Sequence, residues 1–154
     1  MVDLKKVNNA CKRELHVVES PFLQASKIPP HTWKTTTDAW NSYHSVPLHP
    51  ESRHLTTFVT PWGCYRYLVT PQGQKSAGDA LNYRYDMITI DVEDYTRMVD
   101  DSCLWKVDLE AHIWHVLKFL TLTGNHGIVQ NLKKFVFCKK KIDFLGFELM
   151  EDGI

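Results

Sequence analysis

The feature that most constrains this chain is a pair of adjacent aspartates, Asp100 and Asp101, set between two short apolar runs. The segment Arg97–Trp105 therefore predicts a β-hairpin whose tight turn carries both acids. Carboxylates held close together repel one another unless a cation lies between them, and hard cations such as Mg²⁺ prefer oxygen ligands. Taken alone, the pair is more typical of a solvated acidic turn than of a metal site. The choice between these two interpretations depends on the rest of the chain.

The composition is that of one globular domain, with 154 residues of which 44% are hydrophobic and 23% charged. The 18 basic and 18 acidic residues cancel, which argues against a uniformly basic surface but allows local patches such as the lysines between positions 133 and 141. Four cysteines without a Cys-x-x-Cys spacing argue against a zinc ribbon and a disulfide scaffold. No apolar run reaches the roughly 20 residues of a membrane span, and no signal-peptide pattern is present. We therefore expect an intracellular protein, cytoplasmic or nuclear, with reduced thiols and no membrane partner.

Turn, cap and periodicity signals predict a mixture of strands and two helices. The segment 14–34 is predicted to be a loop because Pro21, Pro29 and Pro30 interrupt any helix. The predicted strands are Val2–Leu4, Thr35–Trp40 ending near Asp38, Leu55–Thr60, Cys64–Thr70, Gly127–Gln130, Phe135–Cys138 and Ile142–Leu149. The predicted helices run from Ser76 to about Val92 and from an Asp108 cap to Gly124.

Helical spacing also predicts which faces of the two helices are buried. The inward residues are expected to be Leu81, Tyr85, Ile88 and Val92 in the first helix, and Ile113, Trp114, Leu117 and Leu120 in the second. His112 and His115 lie three positions apart on the second helix. A metal pair is conceivable there, but a solvated polar face is the preferred interpretation because no third ligand is near.

Strands and helices without regular alternation predict an α+β fold, an antiparallel sheet with helices on one face. Asp38 ends one central strand, and Asp100 and Asp101 lie on the turn of a neighbouring hairpin. Adjacent strand ends would bring the three carboxylates within reach of one pair of metal ions. Two ions roughly 3.5–4 Å apart are the arrangement that in-line phosphoryl transfer uses.

A series of motifs, in order along roughly residues 2–149, carries a family resemblance. They are Val2–Asn8, Asp38–Leu48, the Phe58–Gly63 stretch with Tyr65–Tyr67, Pro71–Gly73, and Val99–Asp101 followed by Phe144–Phe147. Together they resemble the fingers and palm of the reverse transcriptase of a gypsy-like long-terminal-repeat retrotransposon, part of a Pol polyprotein. The Val-Asp-Asp segment is similar to the family's catalytic turn, and the Asp38 block is similar to the segment that holds the first catalytic aspartate.

The resemblance implies a role for each matching residue. Asp38, Asp100 and Asp101 would be the catalytic residues and would hold two Mg²⁺ ions, for which Mn²⁺ could substitute, with Asp101 in support. Tyr43 would select deoxynucleotides by clashing with a 2′-hydroxyl group. The alternative interpretation of Tyr43 is that it is an ordinary core tyrosine. Gln72 and Gly73 would contact the incoming nucleotide and the template. Lys75 would approach the triphosphate. The alternative interpretation is that Lys75 is a free surface lysine.

The resemblance also implies one fingers–palm domain over residues 1–154, truncated at both ends. About 1–34 and 52–75 would be fingers-like, and about 35–51 and 76–150 would form the palm. The family's upstream basic residues, thumb and ribonuclease H domains lie outside the chain, so we expect weak or no activity from the chain alone. Its partners would be an RNA or DNA template-primer, a deoxynucleoside triphosphate, and those other domains of the polyprotein.

Two classes of function remain open at this point. The first is an enzyme, an RNA-directed DNA polymerase domain that extends a primer by nucleotidyl transfer. The second is a non-catalytic palm remnant that at most binds nucleic acid or a protein partner. A nucleotide cyclase, which also uses a two-metal palm, is a weaker third possibility because the Pro71–Gly73 loop argues against it.

Overall fold

The computed structural model describes residues 2–154, which form four α-helices and eight short β-strands. In chain order these are α1 Lys5–Ala10, α2 Pro21–Ser26, β1 Trp33–Asp38, β2 Phe58–Thr60, β3 Gly63–Tyr65, α3 Ala77–Ile88, β4 Tyr95–Met98, β5 Asp101–Lys106, α4 Leu109–Asn125, β6 Val136–Lys139, β7 Ile142–Phe144 and β8 Phe147–Leu149. Short 3₁₀ turns cover Ser42–Ser45, Pro50–Thr56 and Leu132–Lys134. No helix among residues 2–154 is long and apolar enough to cross a membrane.

The chain divides into two compact units. The first contains the residues up to Val17 together with Asn41–Tyr85, and the second contains Val18–Trp40 together with Asp86–Ile154. The four-stranded sheet lies in the second unit, with the strand order β4-β5-β1-β6 and antiparallel pairing throughout. The first unit carries the β2–β3 hairpin and a bridge between Pro47 and Val69.

Alternation along the central strands gives the sheet two faces. Thr35 and Leu104 are paired across β1 and β5 on the face that α4 covers, because Thr35 Oγ1 lies 2.7 Å from Nε2 of His112. Thr36 and Cys103 are paired on the opposite face, where α2 and the β7–β8 hairpin supply apolar contacts. The buried cluster on that face consists of Ala25, Ile28, Cys103, Trp105, Ile142, Phe144 and Leu149. The predicted α+β fold with an antiparallel sheet is confirmed; α4 covers one face, whereas the short α2 packs on the other.

The prediction of a loop over residues 14–34 is wrong, because α2 and the start of β1 lie within it. Ser20 caps α2 by accepting a hydrogen bond from the Leu23 amide at 3.3 Å. Pro21 occupies the first helical position, where its missing N–H group and fixed φ angle are tolerated. Pro21 therefore starts a helix here instead of breaking one.

Several predicted strands are shorter or absent. Val2–Leu4 is not a strand but leads into α1, and Gly127–Gln130 contributes only a bridge between Gln130 and Ala39. A 3₁₀ turn that begins at Pro50 delays β2 to Phe58, and β3 ends at Tyr65. The segment Ile142–Leu149 is two strands joined at Leu145 and Gly146, which both have positive φ angles, of 54° and 85°.

The two long helices begin as predicted, but the predicted face of α4 is wrong. Asp108 caps α4 by accepting from the Ala111 amide at 2.8 Å, and α3 ends at Ile88 rather than Val92. Leu81 and Tyr85 are fully buried, in agreement with the predicted face of α3. In α4, by contrast, Trp114 and Leu117 are exposed, and Ile113 and Leu120 are half-buried. The buried residues of α4 are instead His112, Val116, Phe119 and Thr123.

Candidate active site

Asp38 and Asp101 are brought together by the pairing of the two central strands. They are cross-strand partners at the ends of β1 and β5, in continuous register with Thr37 and Ser102. Directly opposed residues in an antiparallel pair have Cβ atoms about 4.5–5.5 Å apart, so the two carboxylates share one region of the surface. This register decides the position of the carboxylate, because a slip of one residue would turn Asp38 to the opposite face of the sheet.

Asp100 joins the pair from the turn between β4 and β5. The two strands pair as far as Met98 and Asp101, so the loop consists of Val99 and Asp100 alone. The prediction that the turn carries both acids is therefore wrong for Asp101, which is the first residue of β5. The Ala39 amide donates to the carbonyl oxygen of Asp100 at 2.9 Å, which attaches the turn to the end of β1. The prediction that the end of β1 meets this acidic turn is confirmed by these contacts. The backbone of Val99 has a φ angle of 54°, a conformation that a β-branched residue rarely adopts.

Two polar side chains that sequence reasoning did not assign to the site also reach Asp38. Lys134 Nζ donates to Asp38 Oδ2 at 2.7 Å, and Asn131 Nδ2 donates to Oδ1 at 3.4 Å. The backbone N–H of Asn131 also donates to the backbone carbonyl oxygen of Asp38 at 2.8 Å, which holds the 3₁₀ turn Leu132–Lys134 beside the strand end. In the sequence, Lys134 is one lysine in a basic run, and that run gives no indication of which member contacts Asp38.

The electrostatics of the cluster are those of three carboxylates around one ammonium group. Partial desolvation raises the pKa of Asp101, the neighbouring carboxylates of Asp38 and Asp100 raise it further, and the charge of Lys134 acts in the opposite direction. The hydrogen bond to Asp38 raises the pKa of Lys134, and the charges of all three aspartates act in the same direction. Positive charge is therefore favoured at this position, and the oxygen donors are of the type that hard divalent cations prefer.

In the described part of the chain, the side chains of the cluster are not arranged as the ligands of one metal ion. Among residues 2–154, no group of three or more histidine, cysteine, aspartate or glutamate side chains is arranged to hold one metal ion. The ammonium group of Lys134 takes part in the cluster instead. The donor set fits a divalent cation by its chemistry, and an incoming cation would compete with Lys134 for Asp38.

His112 and His115 do not form a metal pair or a solvated polar face. His112 is fully buried, and its Nε2 atom lies 2.7 Å from Oγ1 of Thr35. Burial lowers the pKa of His112 to about 4, and it also lowers the pKa of the half-buried His115. His112 is therefore an uncharged core residue, which explains why α4 packs with a different face from the predicted one.

The remaining candidate residues lie in the first unit. Tyr43 lies in the 3₁₀ turn Ser42–Ser45 and is half-buried. Gln72 and Gly73 are exposed in the loop that precedes α3. Lys75 is exposed as well, and its Nζ donates to the carbonyl oxygen of Cys11 at 3.4 Å.

A pair of backbone contacts brings the Tyr43 segment to the Gln72 loop. The Thr70 amide donates to the Val46 carbonyl oxygen at 2.8 Å, and the Leu48 amide donates to the Leu68 carbonyl oxygen at 3.0 Å. The chain leading away from Tyr43 therefore runs beside the chain leading into Gln72.

Comparison with known protein families identifies the domain to which these features belong. The family model described as "Reverse transcriptase (RNA-dependent DNA polymerase)" matches residues 1–149, nearly the whole chain. The chain belongs to the reverse transcriptase family. The family resemblance stated from the motifs is thereby confirmed at the level of the reverse transcriptase domain.

The similar proteins are viral polyproteins. The enzymatic polyprotein of cauliflower mosaic virus (strain D/H) is 35% identical over 115 residues, which are 74% of this chain and 17% of that protein. The enzymatic polyprotein of Cestrum yellow leaf curling virus is 28% identical over 156 residues, covering 99% of this chain and 24% of that protein. This reverse transcriptase domain thus spans a quarter or less of the length of these relatives.

Solved structures of foamy viral proteins share the fold. A foamy viral protease-reverse transcriptase in complex with double-stranded DNA superimposes with a TM-score of 0.90 at 18% identity, over 98% of this chain and 27% of that one. The prototype foamy virus protease-reverse transcriptase has a TM-score of 0.76 at 26% identity, over 94% of this chain and 20% of that one. The α+β architecture described above is therefore that of a reverse transcriptase domain.

Proposed function

We propose that this chain is the fingers–palm part of an RNA-directed DNA polymerase, which extends a primer on an RNA or DNA template by two-metal nucleotidyl transfer. The observation that carries the proposal is the pairing of Asp38 with Asp101 at the strand ends, with Asp100 on the attached turn. Family membership supports the reaction type, because the matching family is described as an RNA-dependent DNA polymerase.

In this proposal Asp38 and Asp100 hold two Mg²⁺ ions, with Asp101 in support, and Mn²⁺ can replace Mg²⁺. Carboxylate oxygens are suitable ligands for these hard cations, and the mutual repulsion that raises the pKa of Asp101 would be relieved when they bind. Bound metal ions would stabilise the attacking and leaving oxygens of an in-line displacement at phosphorus. The aspartates would position the cations, and Lys134 would have to release Asp38 when they bind.

The nucleotide would be held by residues of the first unit. Gln72 and Gly73 would contact the incoming deoxynucleotide and the template, and their exposure in the loop before α3 is consistent with that role. Tyr43 would exclude ribonucleotides, and the backbone pairing of Val46 with Thr70 supports its placement near this loop. Lys75 would approach the triphosphate after giving up its hydrogen bond to the Cys11 carbonyl oxygen.

The proposed partners are a template-primer and a deoxynucleoside triphosphate. One similar foamy viral structure holds double-stranded DNA and another holds an RNA/DNA hybrid. Because the viral relatives are much longer polyproteins, we propose that a thumb and a ribonuclease H domain act together with this domain. Those domains would help to hold the primer, so we expect this domain alone to be weakly active or inactive.

Two finer assignments also belong to this proposal. The fingers would correspond to about 1–34 and 52–75, and the palm to about 35–51 and 76–150. The source would be a gypsy-like long-terminal-repeat retrotransposon, an assignment that rests on the motifs from Val2–Asn8 to Phe144–Phe147. Sequencing the DNA on both sides of the reading frame tests it: flanking long terminal repeats would support it, and a viral gene order without them would contradict it.

Primer extension on a primed RNA template tests the proposed function. The protein would be this domain extended on both sides by the missing fingers and thumb segments of a reverse transcriptase of the same family, assayed with Mg²⁺. We expect extension that Asp100→Asn reduces by at least about 100-fold, since the charge stabilisation of the transition state is lost. Tyr43→Ala should retain extension and admit ribonucleotides. A folded fusion that stays inert with both Mg²⁺ and Mn²⁺ would contradict the proposal and support a non-catalytic palm remnant.

A further inference from the structure

In the first unit, the segment 8–16 runs beside the segment 73–79 and is attached to it by side-chain hydrogen bonds. Arg13 Nε donates to Asp79 Oδ2 at 2.8 Å, and the His16 amide donates to Asp79 Oδ1 at 3.1 Å. Ser76 Oγ donates to the Lys12 carbonyl oxygen at 3.3 Å. These contacts fix the first turn of α3 to the N-terminal part of the unit.

Asn8 ends this series of contacts on the loop itself. Its Nδ2 donates to the Gly73 carbonyl oxygen at 2.8 Å, and its Oδ1 accepts from the Lys75 amide at 2.8 Å. A carboxamide can donate and accept at the same time, which neither a carboxylate nor an ammonium group can do. Asn8 therefore fixes the two peptide groups on either side of Gln74, through the Gly73 carbonyl oxygen of one and the Lys75 N–H of the other.

The conformation of Gly73 explains why the loop needs such a clamp. Gly73 has a φ angle of 90°, and no atom lies within 4 Å of the position that a Cβ would occupy. The positive φ angle therefore favours glycine at position 73, although there is enough space for a larger side chain. Glycine is the most flexible residue in an unrestrained chain, so a glycine loop exposed to solvent keeps one conformation only if other groups hold it.

We propose that Asn8 is a positioning residue for the loop Pro71–Lys75, which it holds ready to receive a deoxynucleoside triphosphate. The inference rests on the proposed function, which assigns nucleotide contacts to Gln72 and Gly73. Asn8 acts through the backbone of the loop, and the two hydrogen bonds meet that backbone on either side of Gln74. An open cleft of about 530 Å³, lined by both Asn8 and Gly73, leaves this side of the loop accessible. Ordering the loop before binding lowers the entropy cost that the nucleotide would otherwise meet.

Titration of the 154-residue chain with a fluorescent deoxyadenosine triphosphate analogue and Mg²⁺ tests the inference. Asn8→Ala removes both hydrogen bonds and should weaken nucleotide binding by about tenfold, a factor within the range for the loss of two net hydrogen bonds. Binding of Mn²⁺ in the absence of nucleotide should stay unchanged, because Asp38, Asp100 and Asp101 are not altered. Asn9→Ala is the matched control, since Asn9 is the exposed neighbour of the same type, and it should bind both ligands as the wild type does.

Asn8→Asp separates the two hydrogen bonds. The carboxylate still accepts from the Lys75 amide but cannot donate to the Gly73 carbonyl oxygen. We expect hydrogen exchange at the Lys75 amide to stay slow in Asn8→Asp and to become fast in Asn8→Ala, while both variants bind nucleotide more weakly. This exchange pattern is measured on the folded chain and does not depend on polymerase activity.

Gln72→Ala distinguishes failure of the inference from failure of the proposed function. If Gln72→Ala weakens nucleotide binding and Asn8→Ala does not, the positioning role of Asn8 is wrong. The proposed contact between Gln72 and the nucleotide is then still supported. If neither variant changes binding, the loop does not hold the nucleotide, and the proposed assignment of Gln72 falls together with the inference. Equal losses of nucleotide and Mn²⁺ binding in Asn8→Ala would also overturn the inference, because they indicate general unfolding.

Discussion

The Nζ atom of Lys134 lies 2.7 Å from Oδ2 of Asp38, so the protein's own ammonium group is in contact with the strand-end carboxylates. Asp38 is largely buried, whereas Lys134 is mostly exposed. This arrangement partly neutralises the carboxylate repulsion and leaves an exchangeable cation at the proposed metal site.

Lys134→Met should make the domain more dependent on divalent cations. Without the ammonium group the three carboxylates repel one another more strongly, and an added cation meets no competitor. We expect Mg²⁺ to raise the thermal unfolding midpoint more in Lys134→Met than in the wild type, as measured by scanning fluorimetry with and without Mg²⁺. Lys133→Met makes the same charge change at the neighbouring exposed position and should respond to Mg²⁺ as the wild type does. Equal Mg²⁺ responses in the two variants would show that Lys134 does not occupy the cation position.

The turn that carries Asp100 is strained at Val99, and Val99→Gly should relieve the strain. A β-branched residue with a φ angle of 54° costs of the order of 1–3 kcal/mol, from which about 0.5–1 kcal/mol is subtracted for the flexibility of glycine in the unfolded chain. We expect Val99→Gly to raise the free energy of unfolding by about 1 kcal/mol, measured by urea denaturation. Val99→Ala, which keeps a side chain in the same conformation, should gain less. A large loss of stability in Val99→Gly would show that the Val99 side chain stabilises the turn.

Two alanine substitutions in α4 test which face of the helix is buried. Phe119 is buried and its ring centroid lies 5.2 Å from that of Tyr95, whereas Trp114 is 59% exposed. Phe119→Ala should lower the free energy of unfolding by about 3–5 kcal/mol through cavity formation, and Trp114→Ala by less than about 1 kcal/mol. Chemical denaturation of the two variants measures both values. A larger loss of unfolding free energy in Trp114→Ala than in Phe119→Ala would indicate that the face predicted from the sequence is the buried one.

The buried His112 should make folding stability depend on pH. Its pKa falls from an ordinary value of 6.5 to about 4 in the folded state, because burial disfavours the charged imidazolium. Above pH 6.5 the residue is neutral in both states and its contribution to stability is complete. As the pH falls from 6.5 towards 4, only the unfolded chain takes up the proton, and about 3 kcal/mol of stability is lost.

His112→Gln provides the comparison for this pH effect. Glutamine keeps an amide for Thr35 Oγ1 but does not titrate, so the stability gap between the wild type and the variant should narrow between pH 7.5 and pH 4.5. His115 is present in both proteins and its titration cancels in the comparison. Urea denaturation at the two pH values measures the gap, and a constant gap would mean that His112 is already accessible to protons in the folded state.

Local signals in the sequence predicted the elements that position the site. The acidic hairpin, the end of β1 at Asp38 and the Asp108 cap each depend on neighbouring residues, and all three are present in the structure. The start of α2 differs from the predicted loop because Pro21 follows the capping residue Ser20, and a proline in the first helical position does not break a helix.

The features that the sequence did not reveal depend on long-range contacts. Two stripes of α4, offset by one position, have helical spacing, and the buried one includes the polar residues His112 and Thr123. The hydroxyl of Thr35 is the hydrogen-bond partner of the buried His112. Thr35 lies far from α4 in the sequence, so no local pattern contains this information. The same holds for Lys134, because only the folded chain shows which lysine of the basic run reaches Asp38.

The central claim is that Asp38, Asp100 and Asp101 together bind divalent metal ions. Electron paramagnetic resonance of Mn²⁺ titrated into the 154-residue chain measures this binding directly, without a template, a nucleotide or a thumb. We predict bound Mn²⁺ in the wild type, a large loss of affinity in Asp100→Asn, and no detectable binding in the double variant Asp38→Asn, Asp100→Asn. Wild-type affinity in the folded double variant would contradict the claim that these carboxylates form the metal site.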